Sequence, residues 1–111
     1  MTDESKYLEL ADQTLRVVND AFDDIDPDQV DVYASGDVLT LAFANGTKAV
    51  LNTQRPTRQL WFAANARAWH FSYDLPSGRW VDDKGRGAEL FETLRSVVRE
   101  QAGVDVKFKA P

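Results

Sequence analysis

The chain has 111 residues, no cysteine and a formal net charge of −5, with 43% hydrophobic and 28% charged residues. That length fits one domain, spanning 1–111, with a modest core, and that apolar content argues against disorder. Without cysteine, disulfides, thiolate zinc fingers, thiolate-held iron–sulfur clusters and thiol catalysis are excluded.

An acidic balance argues against nucleic acid as the main partner, because phosphate recognition needs a basic face. No apolar run approaches the roughly 18 residues that would span a bilayer. The opening segment, MTDESKYLEL, is acidic and lacks the basic and apolar regions of a signal peptide. A cytoplasmic protein without membrane contact is expected.

The charge is unevenly spread. Residues 1–31 carry ten acidic side chains against Lys6 and Arg16, about −8, while the remaining eighty carry eleven basic and eight acidic, about +3. Crowded like charges repel and cost stability unless something positive binds there. A basic protein or a metal cation is the natural partner.

In chain order, residues 5–25 have helical spacing. Leu8, Ala11, Leu15, Val18, Phe22 and Ile25 form one apolar stripe, and Pro27 stops the helix. Period-two segments follow. Gln29–Ala34 supplies a first strand, and Val38–Phe43 and Lys48–Thr53 flank Asn45-Gly46, a type I′ hairpin signal. Gln59–Ala63, Ala68–Tyr73 and, after Pro76-Ser77-Gly78, Arg79–Asp82 complete a meander of five or six antiparallel strands. Residues 88–102 return to helical spacing with Leu90, Phe91, Leu94, Val97 and Val98 on one side, and Gly103 is placed to end the helix. The Gly85-Arg86-Gly87 loop is too short for a phosphate loop. The expected fold is α+β, a two-layer α/β sandwich with both terminal helices on one sheet face.

Strand alternation places Leu39, Leu41, Phe43, Leu51, Leu60, Phe62, Trp69, Phe71 and Tyr73 on the core face. Thr40, Asn52, Gln54, Gln59, Trp61, His70 and Ser72 fall on the other. Trp61 is a large aromatic among amides on a face that no helix covers. That composition suits a binding hot spot; alternatively, Trp61 simply lies flat over its neighbours.

Asp20, Asp23 and Asp24 occupy neighbouring helical positions, and Asp26, Asp28 and Asp31 continue into the next turn and strand. All-oxygen ligands suit hard cations such as iron(III), manganese, calcium or magnesium, and iron(II) is compatible too. Asp24-Ile-Asp26-Pro-Asp28 begins like an EF-hand loop but has Gln29 where glycine is needed and Ser35 where the closing glutamate is needed. The expectation is weak, exposed, multi-site binding completed by water. His70 is the single histidine and reads as a surface residue. No nucleophile–base–orienter set can be assembled, so catalysis is not expected.

The segment Asn52-Thr-Gln54-Arg-Pro56-Thr-Arg-Gln59-Leu-Trp61 resembles the frataxin signature N-x-Q-x-P-x-x-Q-[ILV]-W. Leu10–Gln13, Val38–Thr40, Asn45-Gly46 and Trp69–Phe71 extend the likeness across nearly the whole chain. Its length and the lack of a targeting sequence make it similar to the bacterial members.

The resemblance implies the same α-β-meander-α sandwich and an iron-binding protein of iron–sulfur cluster assembly. It implies iron(II) or iron(III) held weakly at Asp20, Asp23, Asp24, Asp26, Asp28 and Asp31, with Asp3 and Glu4 as lesser ligands. Asn52, Gln54, Gln59 and Trp61 are implied as the partner-binding surface, with a cysteine desulfurase and the scaffold protein as partners. Regulation of the assembly rate is implied; iron delivery stays open as a further role. A monomer is expected, with oligomerisation under iron left open. Two alternatives remain: an interaction module with incidental metal binding, and a ferroxidase or iron-storage protein. Asn19 and Ala44 stand where such proteins often carry acids, and the Asp28–Asp31 loop is one residue shorter than in some.

Overall fold

The computed structural model describes residues 3–109. The element order is α1 (Glu4–Asp20), β1 (Val30–Ser35), β2 (Val38–Phe43), β3 (Lys48–Gln54), β4 (Gln59–Ala64), β5 (Arg67–Asp74), β6 (Arg79–Asp82) and α2 (Leu90–Ala102). The six strands form one antiparallel sheet in sequence order, a plain meander. Helix α1 is opened by Asp3, whose carboxylate accepts the Lys6 N–H. Helix α2 is opened by Glu89, which accepts from the Phe91 and Glu92 N–H groups, and is closed by Gly103 at φ 66. Among the described residues no helix is long and apolar enough to cross a membrane.

Both helices pack on one sheet face. Tyr7, Ala11 and Val18 of α1 and Leu90, Leu94, Val97 and Val98 of α2 share one core with Leu39, Leu41, Leu51, Leu60, Phe62 and Phe71. Trp69 and Tyr73 lie on the same face but are only half-buried. After Gly103 the tail returns along the helices: Val106 is buried, and Phe108 stacks on Phe91 with ring centroids 5.1 Å apart. Among the described residues no helix covers the other sheet face.

Four local expectations are corrected. The first helix stops at Asp20 rather than Ile25, so Asp23 and Asp24 are not helical. Acidic side chains accumulate at the negative end of the helix dipole, with no basic residue in the last turn. The backbone instead closes three-residue turns, with Asp23 N–H donating to Asp20 O and Ile25 N–H to Phe22 O.

The buried stripe of α1 is also displaced, running through Tyr7, Ala11, Thr14 and Val18. Thr14 can be buried because its hydroxyl donates to Leu10 O and accepts from Trp80 Nε1.

The Asn45-Gly46 turn is not type I′. Only Gly46 takes positive φ, because the Asn45 side-chain oxygen accepts from both the N–H and the hydroxyl of Thr47 and holds the loop another way. At the other end of the sheet, α2 starts at Leu90 because residues 88 and 89 extend the sheet edge: Asp82 N–H donates to Ala88 O, and Val81 bridges Glu89.

Candidate functional site

The register brings the outer-face residues into two transverse rows. Asn52 pairs with Trp61 and Trp61 with His70; Gln54 pairs with Gln59 and Gln59 with Ser72. The Trp61 indole lies parallel to the His70 imidazole, 4.2 Å between centroids and 16° between planes. Trp61 Nε1 donates to Gln59 Oε1 at 2.9 Å. Gln59 Nε2 in turn donates to Asp83 Oδ2 at 2.9 Å and to Ser72 Oγ at 3.1 Å. Asp83 also sits 3.8 Å from His70 Nδ1, and its N–H donates to His70 O.

Gln59 is therefore a hub rather than a free contact. It is 8% exposed, and both ends of its amide are engaged within the chain. Trp61, Asn52 and Gln54 are half-buried. Asn52 Nδ2 donates to Thr53 O. The result is a flat, polar-edged aromatic plate held from beneath by side-chain bonds.

Two residues outside the expected set support it. Asp83 follows β6 with no strand pattern around it, so alternation could not place it. Tyr7 of α1 donates its hydroxyl to Gln59 O at 2.7 Å and accepts the Gln54 N–H at 3.1 Å. It ties the helix to the hairpin that carries the plate. Burial raises the Tyr7 phenol above its ordinary value, and the Gln54 N–H opposes this.

The acidic residues do not gather at one point. Asp20 and Asp24 face a groove of about 550 Å³ shared with Asp105, Lys107 and Lys109 of the tail. Asp23 and Asp31 line a second groove of about 240 Å³, with Asn19 and Pro27. Asp26 spends one carboxylate oxygen on the Asp28 N–H. Asp3 and Glu4 lie at the opposite end of α1, about 24 Å from Asp20 by helical rise.

All these carboxylates are exposed. Among the described residues no three His, Cys, Asp or Glu side chains converge into a set that could hold a metal ion. The donors fit open coordination by one or two carboxylates plus water, not a closed cage. Asp105 is a further carboxylate on the first groove; it already binds Arg99 at 3.0 Å. Nothing in the local pattern after Gly103 signals that the tail turns back here.

The fold is a two-layer sandwich with acidic residues at the end of α1 and amides around Trp61 on the sheet face away from the helices. The family model described as a frataxin-like domain matches residues 1–104, and the chain belongs to that family. It is 42% identical over 106 residues to the iron-sulfur cluster assembly protein CyaY of Pseudomonas fluorescens, covering 96% of this chain and 94% of that one. It is 43% identical over 105 residues to the protein of the same name from Pseudomonas aeruginosa, covering 95% of each.

The solved frataxin of Psychromonas ingrahamii superposes with a TM-score of 0.86 at 30% identity, covering 98% of this chain and all of that one. Trimeric frataxin of Saccharomyces cerevisiae, complexed with ferrous iron, gives a TM-score of 0.59 at 29% identity, covering 94% and 89%.

Proposed function

We propose that this protein acts in iron–sulfur cluster assembly as an iron-binding, non-catalytic adaptor that docks on the cysteine desulfurase and the scaffold protein and regulates the assembly rate. Family membership and the assembly role in the names of its bacterial relatives support this reading. A cytoplasmic setting accords with it.

The observation that carries the docking half is the uncovered plate of Asn52, Gln54 and Trp61, kept flat by the Gln59 hub. A tryptophan whose N–H is already satisfied inside the chain can offer its ring to a partner without a desolvation cost for that group. Gln59 takes a positioning role in this assignment, beneath the residues that touch.

For the iron half, Asp20 with Asp24 and Asp23 with Asp31 are the proposed ligand pairs. Asp26 and Asp28 are auxiliary, and Asp3 and Glu4 form a remote, weaker locus. Iron here is cargo or effector, and the ferrous complex of the yeast relative supports iron binding as such. The same carboxylates can meet a basic patch on the desulfurase, a contact that salt weakens. Growth into oligomers under iron is a further proposed behaviour, supported by the trimeric state of that yeast relative.

A second reading, an interaction module with incidental metal binding, is favoured by the absence of three converging ligands among the described residues.

Calorimetric titration against the cognate cysteine desulfurase, with and without iron(II), tests both. Binding without iron that tightens with it supports the adaptor. Binding indifferent to iron supports the interaction module. No binding to desulfurase or scaffold in either state overturns both.

A further inference from the structure

We propose that Arg58 is a preset anion anchor at the rim of the plate, and that the docking partner meets it with an aspartate or glutamate side chain. This rests on the docking reading and names the partner's chemistry.

Arg58 closes the four-residue loop between β3 and β4. Its N–H donates to Arg55 O, and the next residue, Gln59, pairs across to Gln54. Its backbone is left-handed at φ 52, one of two such non-glycine residues among those described. Its Nε is the one buried side-chain polar atom without a hydrogen-bond partner among the described residues. The guanidinium joins no ion pair among them either.

A left-handed arginine and a desolvated, unpaired donor both cost stability. Here they coincide on one residue beside the proposed contact face. Glycine or asparagine would satisfy the backbone more cheaply, so the loop does not require arginine for its shape.

The geometry also gives the side chain a use. Sealing Nε restrains the stem, while the guanidinium of this half-buried side chain joins no ion pair among the described residues and is left to meet a partner. A guanidinium fixed in this way presents parallel N–H groups that match a carboxylate end-on. Arg55 on the same loop adds a second positive charge. The flanking indole and amides are protein-contacting groups, and a chain of net charge −5 repels a polyanion. A polypeptide carboxylate is the occupant these features fit.

The test is titration of the cognate cysteine desulfurase, and separately of the scaffold protein, into wild type and the variants Arg58→Asn, Arg58→Lys, Arg58→Glu and Trp61→Ala, with a melting temperature for each. Asparagine tolerates left-handed backbone and removes the unpaired Nε. Arg58→Asn is therefore expected to melt at or above wild type while binding roughly 10-fold more weakly, with a shallower salt dependence. Arg58→Glu should bind more weakly still, and Arg58→Lys should recover only part of the affinity.

Unchanged affinity in Arg58→Asn and Arg58→Glu, with Trp61→Ala impaired, overturns this inference and leaves the docking face standing. Affinity that falls only in step with melting temperature across the Arg58 series overturns it as well. Failure of wild type to bind either protein overturns the docking reading itself and this inference with it.

Discussion

The imidazole of His70 forms a shelf for the indole of Trp61, stacked at 4.2 Å across adjacent strands. Both belong to the face that no helix covers, so the pair adds little to the core. Trp61→Ala is expected to lower stability by about 1 kcal/mol, chiefly by leaving the buried Gln59 oxygen without its donor. A hot-spot tryptophan costs about 2 kcal/mol or more in binding when truncated. Parallel melts and partner titrations separate the two effects. Loss of stability with intact partner binding would mean that Trp61 merely covers the sheet.

Tyr7 is the link between the acidic helix and that face. Tyr7→Phe removes a donor to Gln59 O and an acceptor for the Gln54 N–H at a residue 1% exposed. The expected loss is about 1–3 kcal/mol, measurable by chemical denaturation. The phenol's raised pKa adds a high-pH test. Tyr7 contributes stability that is fully present below its unfolded value, near 10, and that is lost as pH rises through the folded value. Wild type should therefore lose stability above about pH 10 more steeply than Tyr7→Phe.

The strands were readable because their apolar residues alternate cleanly. Val38–Phe43 and Arg79–Asp82 fall where period-two spacing puts them, and Leu39, Leu41 and Phe43 face the core as expected. Tyr7 and Thr14 were missed for a shared reason. Each carries a polar atom that spacing counts against burial, and each is buried because a residue more than fifty positions away satisfies that atom. The end of α1 was misplaced because apolar Phe22 and Ile25 keep helical spacing while the charges around them disfavour the helix.

Trp61 stood out as an aromatic among amides, but neither the Gln59–Asp83 bond nor the return of Asp105 to the groove of Asp20 and Asp24 is encoded in local pattern. Both depend on loops whose paths only the packed molecule sets.

The division of the acidic residues between two grooves makes a prediction that a single cluster would not. Asp20 is the last residue of α1, where the helix dipole is negative, with Asp24 on the same groove. Asp20→Asn with Asp24→Asn should raise stability at low ionic strength by roughly 0.5 kcal/mol per charge removed, read as a higher melting temperature, and the gain should fade with salt. In wild type, manganese(II) or iron(II) should raise the melting temperature by mass action. Asp23→Asn with Asp31→Asn should leave cation broadening at residues 20 and 24 intact in NMR spectra. Complete loss of cation binding from either double variant would show that the two grooves act as one site.

Acid should unfold the molecule partly through Asp82. Its carboxylate is fully enclosed and is gripped by the Arg86 guanidinium, with the Lys84 N–H as a further donor. The Arg86 hydrogen bond, aided by the Lys84 N–H, holds its pKa below the ordinary carboxylate value against the opposing effect of burial. The folded pKa is depressed, so the contribution is present above the unfolded value, near 4, and is lost as pH falls through the folded value. Asp82→Asn keeps the shape but cannot bind Arg86 as an ion, so about 1–2 kcal/mol should be lost at neutral pH. Below about pH 4 the gap between variant and wild type should close. Melting curves from pH 7 to pH 2 measure it directly. A constant gap across that range would mean the Asp82 carboxylate contributes through packing alone. Because Asp83 follows directly and bonds Gln59, loosening this loop should also weaken partner binding in Asp82→Asn at pH 7.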